Sequence, residues 1–259
     1  MLRKTLLLLL IAVWFLSGCA GPASPSPGRP ALDARQEPPA GTLPSDVREH
    51  LALLEAEPAL PDKHLAHMRW WRQWRHTSDS LEDVVRWCRL DAEIGVPAEV
   101  QGAWVGCCPR PGRFYLMSLV VSERASVKDL RQLAEDDLLV LRLLAMVCLA
   151  RTAPRGALPV LASRLASREE LICSPLGCVF FEMIEGELAW RLLHDRRYLD
   201  GVYPAQPLLP ENRLLETDLR LLASEAHAHL HSEIVDHWRR RLPHLPAPLR
   251  QKWTGRIPD

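Results

Sequence analysis

Apolar residues recur at three- and four-residue spacing through most of this chain, a pattern that predicts helices. Leu81, Val84, Val85, Cys88 and Ala92 form one such stripe; Ser78 or Asp79 caps its start, and Gly95 and Pro97 end it after Ile94. Upstream, Asp46 caps a helix over Val47–Glu57, and Pro61 suits the first position of a helix reaching about Thr77. Ser126 caps Val127–Glu135, Asp136 and Asp137 open a strongly apolar helix through Arg151, and Pro154 breaks it. Further helices are predicted over Gly156–Ala166, Leu176–Leu193 and, near the end, Asn212–Leu242. The stretch Val100–Val121 is rich in β-branched and aromatic residues around Cys107-Cys108-Pro109-Arg110-Pro111-Gly112. It reads either as two helices broken at the prolines or as a small β-hairpin near residues 100–121, and its helical surroundings favour the helices. The predicted fold class is all-α.

The first residues follow a different pattern. Arg3 and Lys4 precede an apolar run from Leu6 to Leu16, and then Ser17, Gly18 and Cys19. A basic start, a short apolar stretch and small residues at its end make a secretory signal peptide. The run falls short of the roughly 20 apolar residues that span a bilayer. Leu16-Ser17-Gly18-Cys19 resembles the lipobox of bacterial lipoproteins. The resemblance implies that Cys19 is acylated on its sulfur, that the chain is cut before it, and that the new amino group is acylated too. It therefore implies a membrane partner through the lipid anchor. In Gram-negative members of the family an aspartate after the cysteine favours the inner membrane. Ala20 stands here instead, so the implied address is the outer membrane, facing the periplasm.

From Ala20 to Ser45 prolines recur (Pro22, Pro25, Pro27, Pro30, Pro38, Pro39, Pro44) with almost no large apolar side chain. Such a segment buries too little surface to offset its ordering entropy. As an extended tether it reaches up to about 80 Å. The expected organisation is a signal peptide at 1–18, a lipid-anchored tether at 19–45 and one helical domain at 46–259.

Within that domain, Asp137-Leu-Leu-Val140-Leu-Arg142-Leu-Leu-Ala145, followed by Leu158-Pro-Val-Leu161, resembles the HEAT repeat, a helical hairpin that stacks into arrays. A shift of 32 residues places Ala145, Val147 and Leu149 on Gly177, Val179 and Phe181, a degenerate second copy, although Arg142 then falls on Ser174. The resemblance covers residues 126–194 and implies a helical-hairpin array whose curved surface binds another protein.

Charge narrows the partners. The formal net charge is zero, and loss of residues 1–18 removes two positive charges. That balance offers no case for nucleic acid, whose binding rests on neutralised phosphates. No Gly-rich phosphate loop, Gly-X-Ser-X-Gly turn or Cys-X-X-Cys pair occurs, so no catalytic residue is identified.

Three features remain as candidate chemistry. On a continuous helix from Asn212 to Leu242, His229, Glu233 and His237 share one face, and His227 and His231 form a second pair four apart. Imidazoles at that spacing bind zinc or copper, with Glu233 as a third ligand. His237 also falls on the apolar stripe of Leu219, Leu222, Ala226, Leu230 and Ile234, which suits a packed core residue. Cys173 and Cys178, separated by Ser-Pro-Leu-Gly, form a candidate disulfide across a tight turn. Trp70 and Trp74 share a helix face flanked by Arg69, Arg72 and Arg75, the residue types of partner-binding hot spots, or else they pack inward. The function expected is a lipid-anchored, non-catalytic scaffold or adaptor without a cofactor; the alternative is a periplasmic metal-binding protein or hydrolase built on the histidines.

Overall fold

Why the fold centres on one helix follows from its composition. In the computed structural model, which describes residues 43–56, 80–105, 111–177, 179–201 and 204–254, the run Leu141–Ala150 is buried without interruption. A helix apolar all round can only be surrounded.

In chain order the described elements are α1 (Ser45–Ala56), α2 (Leu81–Glu93), β1 (Glu99–Val105), α3 (Arg113–Arg124), α4 (Val127–Leu133), α5 (Leu139–Thr152) and α6 (Pro154–Arg164). Then come β2 (Glu170–Gly177), β3 (Phe181–Ile184), α7 (Glu185–His194), α8 (Glu211–Leu222), a 3-10 helix (Glu225–Leu230), α9 (His231–Arg241), a 3-10 turn (Leu242–His244) and α10 (Ala247–Trp253). The core helix α5 packs against α2, α3, α4, α6, α7 and β1. Outside it, α1 lies on α6, and Asp46 near its start pairs with Arg213 on α8 at 2.9 Å.

Two helix starts follow one chemical rule. Ser80 accepts from the Asp83 N–H at 3.1 Å while the Asp83 carboxylate accepts from the Ser80 N–H, also at 3.1 Å. Ser126 and Asp129 repeat the exchange at 3.2 and 2.9 Å. Each box satisfies two N–H groups that a helix start leaves without partners. The cap of α2 is thus Ser80; Ser78 and Asp79 lie outside the described residues. The helix stops where Gly95 takes a left-handed φ of 78°.

The chain is mostly helical, and the all-α expectation needs one addition, a small three-stranded sheet in the order β1-β2-β3. β1 runs parallel to β2, with Glu99 opposite Ile172 and Val100 opposite Cys173. β2 and β3 are antiparallel, with Leu171 opposite Met183 and Ile172 opposite Glu182. At residues 100–121, neither two helices nor a hairpin forms. The segment is strand β1 and then helix α3, because the partner of β1 lies some seventy residues downstream rather than beside it. The helix expected over Leu176–Leu193 is likewise corrected. Its first part is the end of β2 and all of β3, and helix begins only at Glu185. Gly177 and Phe181, aligned above with a helical repeat, therefore stand in strands, with Val179 between them.

The parallel contact is unusually close at Gly102. A Cβ there would sit 2.0 Å from the Pro175 carbonyl oxygen, so only glycine fits. The other side of β1 is also occupied. Ala103 N–H donates to the Leu199 carbonyl at 2.8 Å, and Gly102 C=O accepts from Gly112 N–H at 2.9 Å.

Candidate functional site

The predicted helix over Asn212–Leu242 is interrupted. α8 ends at Leu222, and the 3-10 segment contains His227 at φ −112°, a non-helical conformation; α9 starts only at His231. The break turns the histidines toward separate partners. His227 Nδ1 lies 3.0 Å from Ser224 Oγ, His229 Nε2 lies 3.0 Å from the Leu165 carbonyl oxygen, and His231 Nε2 lies 3.2 Å from that of Leu221. Glu233 pairs with Arg191 at 2.9 Å. His229, Glu233 and His237 are thus not brought together as one ligand set, and neither are His227 and His231. Among the described residues no group of three or more His, Cys, Asp or Glu side chains is arranged to hold zinc, copper or another metal.

His237 instead joins a buried aromatic cluster. Its ring centroid lies 4.3 Å from that of His194, 5.5 Å from Trp190 and 5.3 Å from Trp238; Trp253 continues the stack at 5.3 Å from Trp238. Under it sits Asp218, only 1% exposed. Its two carboxyl oxygens accept from Trp190 Nε1 at 2.9 Å and Trp238 Nε1 at 2.6 Å. His194 Nε2 comes within 3.0 Å of Asp218 Oδ2 but lacks hydrogen-bond direction. Burial, and after it the neighbouring His194 and Arg241, push the His237 pKa down to about 3. His237 is therefore neutral, and its buried Nε2 has no hydrogen-bond partner. The cluster ties α7, α8, α9 and α10 together.

A second centre gathers around Arg142. Its guanidinium donates to Glu185 at 3.0 Å, to the carbonyls of Asp136 and Asp137 at 3.1 and 3.0 Å, and to Glu169 at 2.5 Å. Ser167 Oγ donates to the second Glu185 oxygen at 2.6 Å. Burial alone would lower the Arg142 pKa, but the hydrogen bonds and charges of Glu185 and Glu169 outweigh it and raise it. Another buried cation, Arg151, binds Asp200 and Ser118 and lies 5.4 Å over the Tyr115 ring. Nearby thiols are inert: burial lifts Cys88 to about 12 and Cys148 to about 11. These interior charges are consumed by one another.

The sheet offers what the interior does not. Val100, Leu171, Cys173 and Met183 point into the core, so by strand alternation Glu99, Glu170, Ile172, Glu182 and Ile184 share the opposite face. At the turn between β2 and β3, Val179 and Phe180 are 61% and 57% exposed. The helical reading of this run gives neither residue a place in a site. The signal was nonetheless present, in the β-prone Val179-Phe180-Phe181-Glu182-Met183-Ile184. Cys173 is buried in β2, and Cys178, Cys19, Trp70 and Trp74 lie outside the described residues. Among the described residues no helix is long and apolar enough to cross a membrane. No known family model matches the chain, and no curated protein is significantly similar to it.

Proposed function

We propose that this protein is a lipid-anchored adaptor of the bacterial envelope, non-catalytic, that holds another protein against its helical domain. The anchor rests on the lipobox-like Leu16-Ser17-Gly18-Cys19, and the outer-membrane address on Ala20. The adaptor role rests on one observation: the exposed apolar side chains of Val179 and Phe180 at the end of the sheet. An apolar pair of this kind loses contact with water when a partner covers it. The likeness to a HEAT unit is carried by α5 and α6, which are joined at Ala153 and pack together. One pair does not build the long concave surface of an array, so the partner is placed at the sheet instead.

Two measurements test the reading. Cys19→Ser should abolish labelling by a fatty-acid analogue and leave an uncleaved precursor; unchanged labelling would sink the anchor. A photo-reactive amino acid at position 180 of the full chain should capture a protein in living cells. Its failure to capture any would sink the adaptor role.

A further inference from the structure

The two outer strands of the sheet differ. β1 is covered by Leu199 and Gly112, as described, whereas β3 is the last strand and no described residue pairs with its free side. The direction of the backbone groups follows from one bond. Ile172 N–H donates to the Ala98 carbonyl at 3.0 Å, so Ile172 faces β1 and its neighbours Leu171 and Cys173 face β3. Across the antiparallel pair, Met183 and Phe181 are then the bonded partners. Glu182 is left with its N–H and C=O directed outward, and Ile184 with its N–H. An open strand edge is a template for another extended chain.

The side chains beside that edge state what chemistry fits. Glu99, Ile172 and Glu182 lie in one row across the outer face, and Glu170 and Ile184 in the next. Among the described residues none of the three glutamates forms an ion pair, whereas Glu135, Glu187, Glu211, Glu216 and Glu233 each hold an arginine. Along β3 that face carries Glu182 and Ile184, and the exposed Phe180 stands just before the strand, so the run reads apolar, acidic, apolar at every second residue.

We infer that the free edge of β3 binds an extended segment of a partner protein in which a lysine or arginine stands between two apolar residues, each two positions away. Paired as a fourth strand, such a segment places its cation opposite Glu182 and its apolar side chains beside Phe180 and Ile184. A second copy of this chain is the poorer occupant, because it would bring a second row of unpaired glutamates against the first. The inference deepens the adaptor reading and rests on it.

The test uses the full chain and two short synthetic peptides. One has lysine at its centre, valine two positions to either side and threonine elsewhere; the other has glutamate at the centre. At low salt the lysine peptide should bind about thirtyfold more tightly, as expected when attraction of about 1 kcal/mol is exchanged for a repulsion of similar size. Glu182→Lys should reverse the order without affecting helix content. Glu182→Pro, which removes only an outward N–H, should weaken both peptides. Equal binding of the two peptides, or an order unchanged in Glu182→Lys, would overturn the inference. So would a cross-link from position 180 to the Trp70–Trp74 segment of the same chain or to a second copy. If the peptides fail while position 180 still captures a partner in cells, the adaptor reading stands and only the partner chemistry falls.

Discussion

Helix α7 is fastened at its two ends by different chemistry. At its start Glu185, fully buried, meets the guanidinium of Arg142 and the hydroxyl of Ser167. At its end Trp190 and His194 meet Asp218, whose oxygens take two indole N–H groups. Both ends bury a carboxyl group, and burying one without partners costs several kcal/mol. The first end answers with an opposite charge, and the second with neutral donors inside an aromatic shell. The charged solution adds the carbonyls of Asp136 and Asp137 as acceptors for the same guanidinium. The aromatic one contains His237, whose neutrality is a condition of the fold.

The sharpest way to break this contrast is Arg142→Met. It leaves Glu185 buried without its cation, and unfolding in urea at neutral pH should show a loss of about 3–5 kcal/mol. Adding Glu185→Gln should restore part of that loss. A double variant no better than the single one would mean that the two groups are not coupled. Asp218→Ala comes next, at about 2–4 kcal/mol, because two buried indole donors lose their acceptor. Asp218→Asn should cost less, and equal losses would show that shape rather than hydrogen bonding matters there.

His237→Phe has the smallest effect at neutral pH and the most specific one in acid. A histidine whose folded pKa lies near 3, below the ordinary value of about 6.5, contributes stability that is fully present above about 6.5. As pH falls from there toward 3 the unfolded chain takes up the proton first, so the contribution is lost. The phenylalanine variant should therefore unfold at a lower pH than the parent. Carboxylates held low by hydrogen bonds and charge, such as Asp46 and Glu216, will still unfold it in stronger acid. An unchanged acid midpoint would show that His237 is not the sensor.

Where local chemistry decides, the sequence was legible. Ser126 is the cap that its position before Val127 suggests, and the apolar run after Asp137 forms the central helix. The errors fall where distant partners decide. β1 and β2 look like short apolar runs, which periodicity alone cannot assign to strand or helix, and their pairing joins distant parts of the chain. The break between α8 and α9 is held in part by contacts of His229 and His231 with backbone carbonyls, one of them far away at Leu165. The Asp218 centre leaves a faint trace in the sequence. Leu214, Leu215, Asp218 and Leu221 are all buried on one helix, so the aspartate interrupts an apolar stripe and had to find donors inside. Arg142 does the same within α5. The outer face of the sheet left less, because the alternation of Phe180, Glu182 and Ile184 is too short to stand out from its surroundings.

The parallel pairing of β1 with β2 also sets a timetable. During synthesis, Glu99 leaves the ribosome some seventy residues ahead of Ile172, an interval of roughly 4–14 seconds at ordinary elongation rates. Over that interval β1 has no mate, and Gly102 waits for the Pro175 carbonyl against which it must lie. Leu199, which covers the other side of the strand, arrives later still. The N-terminal half is therefore incomplete by itself, and β1 is enclosed on both sides only when nearly four-fifths of the chain is available.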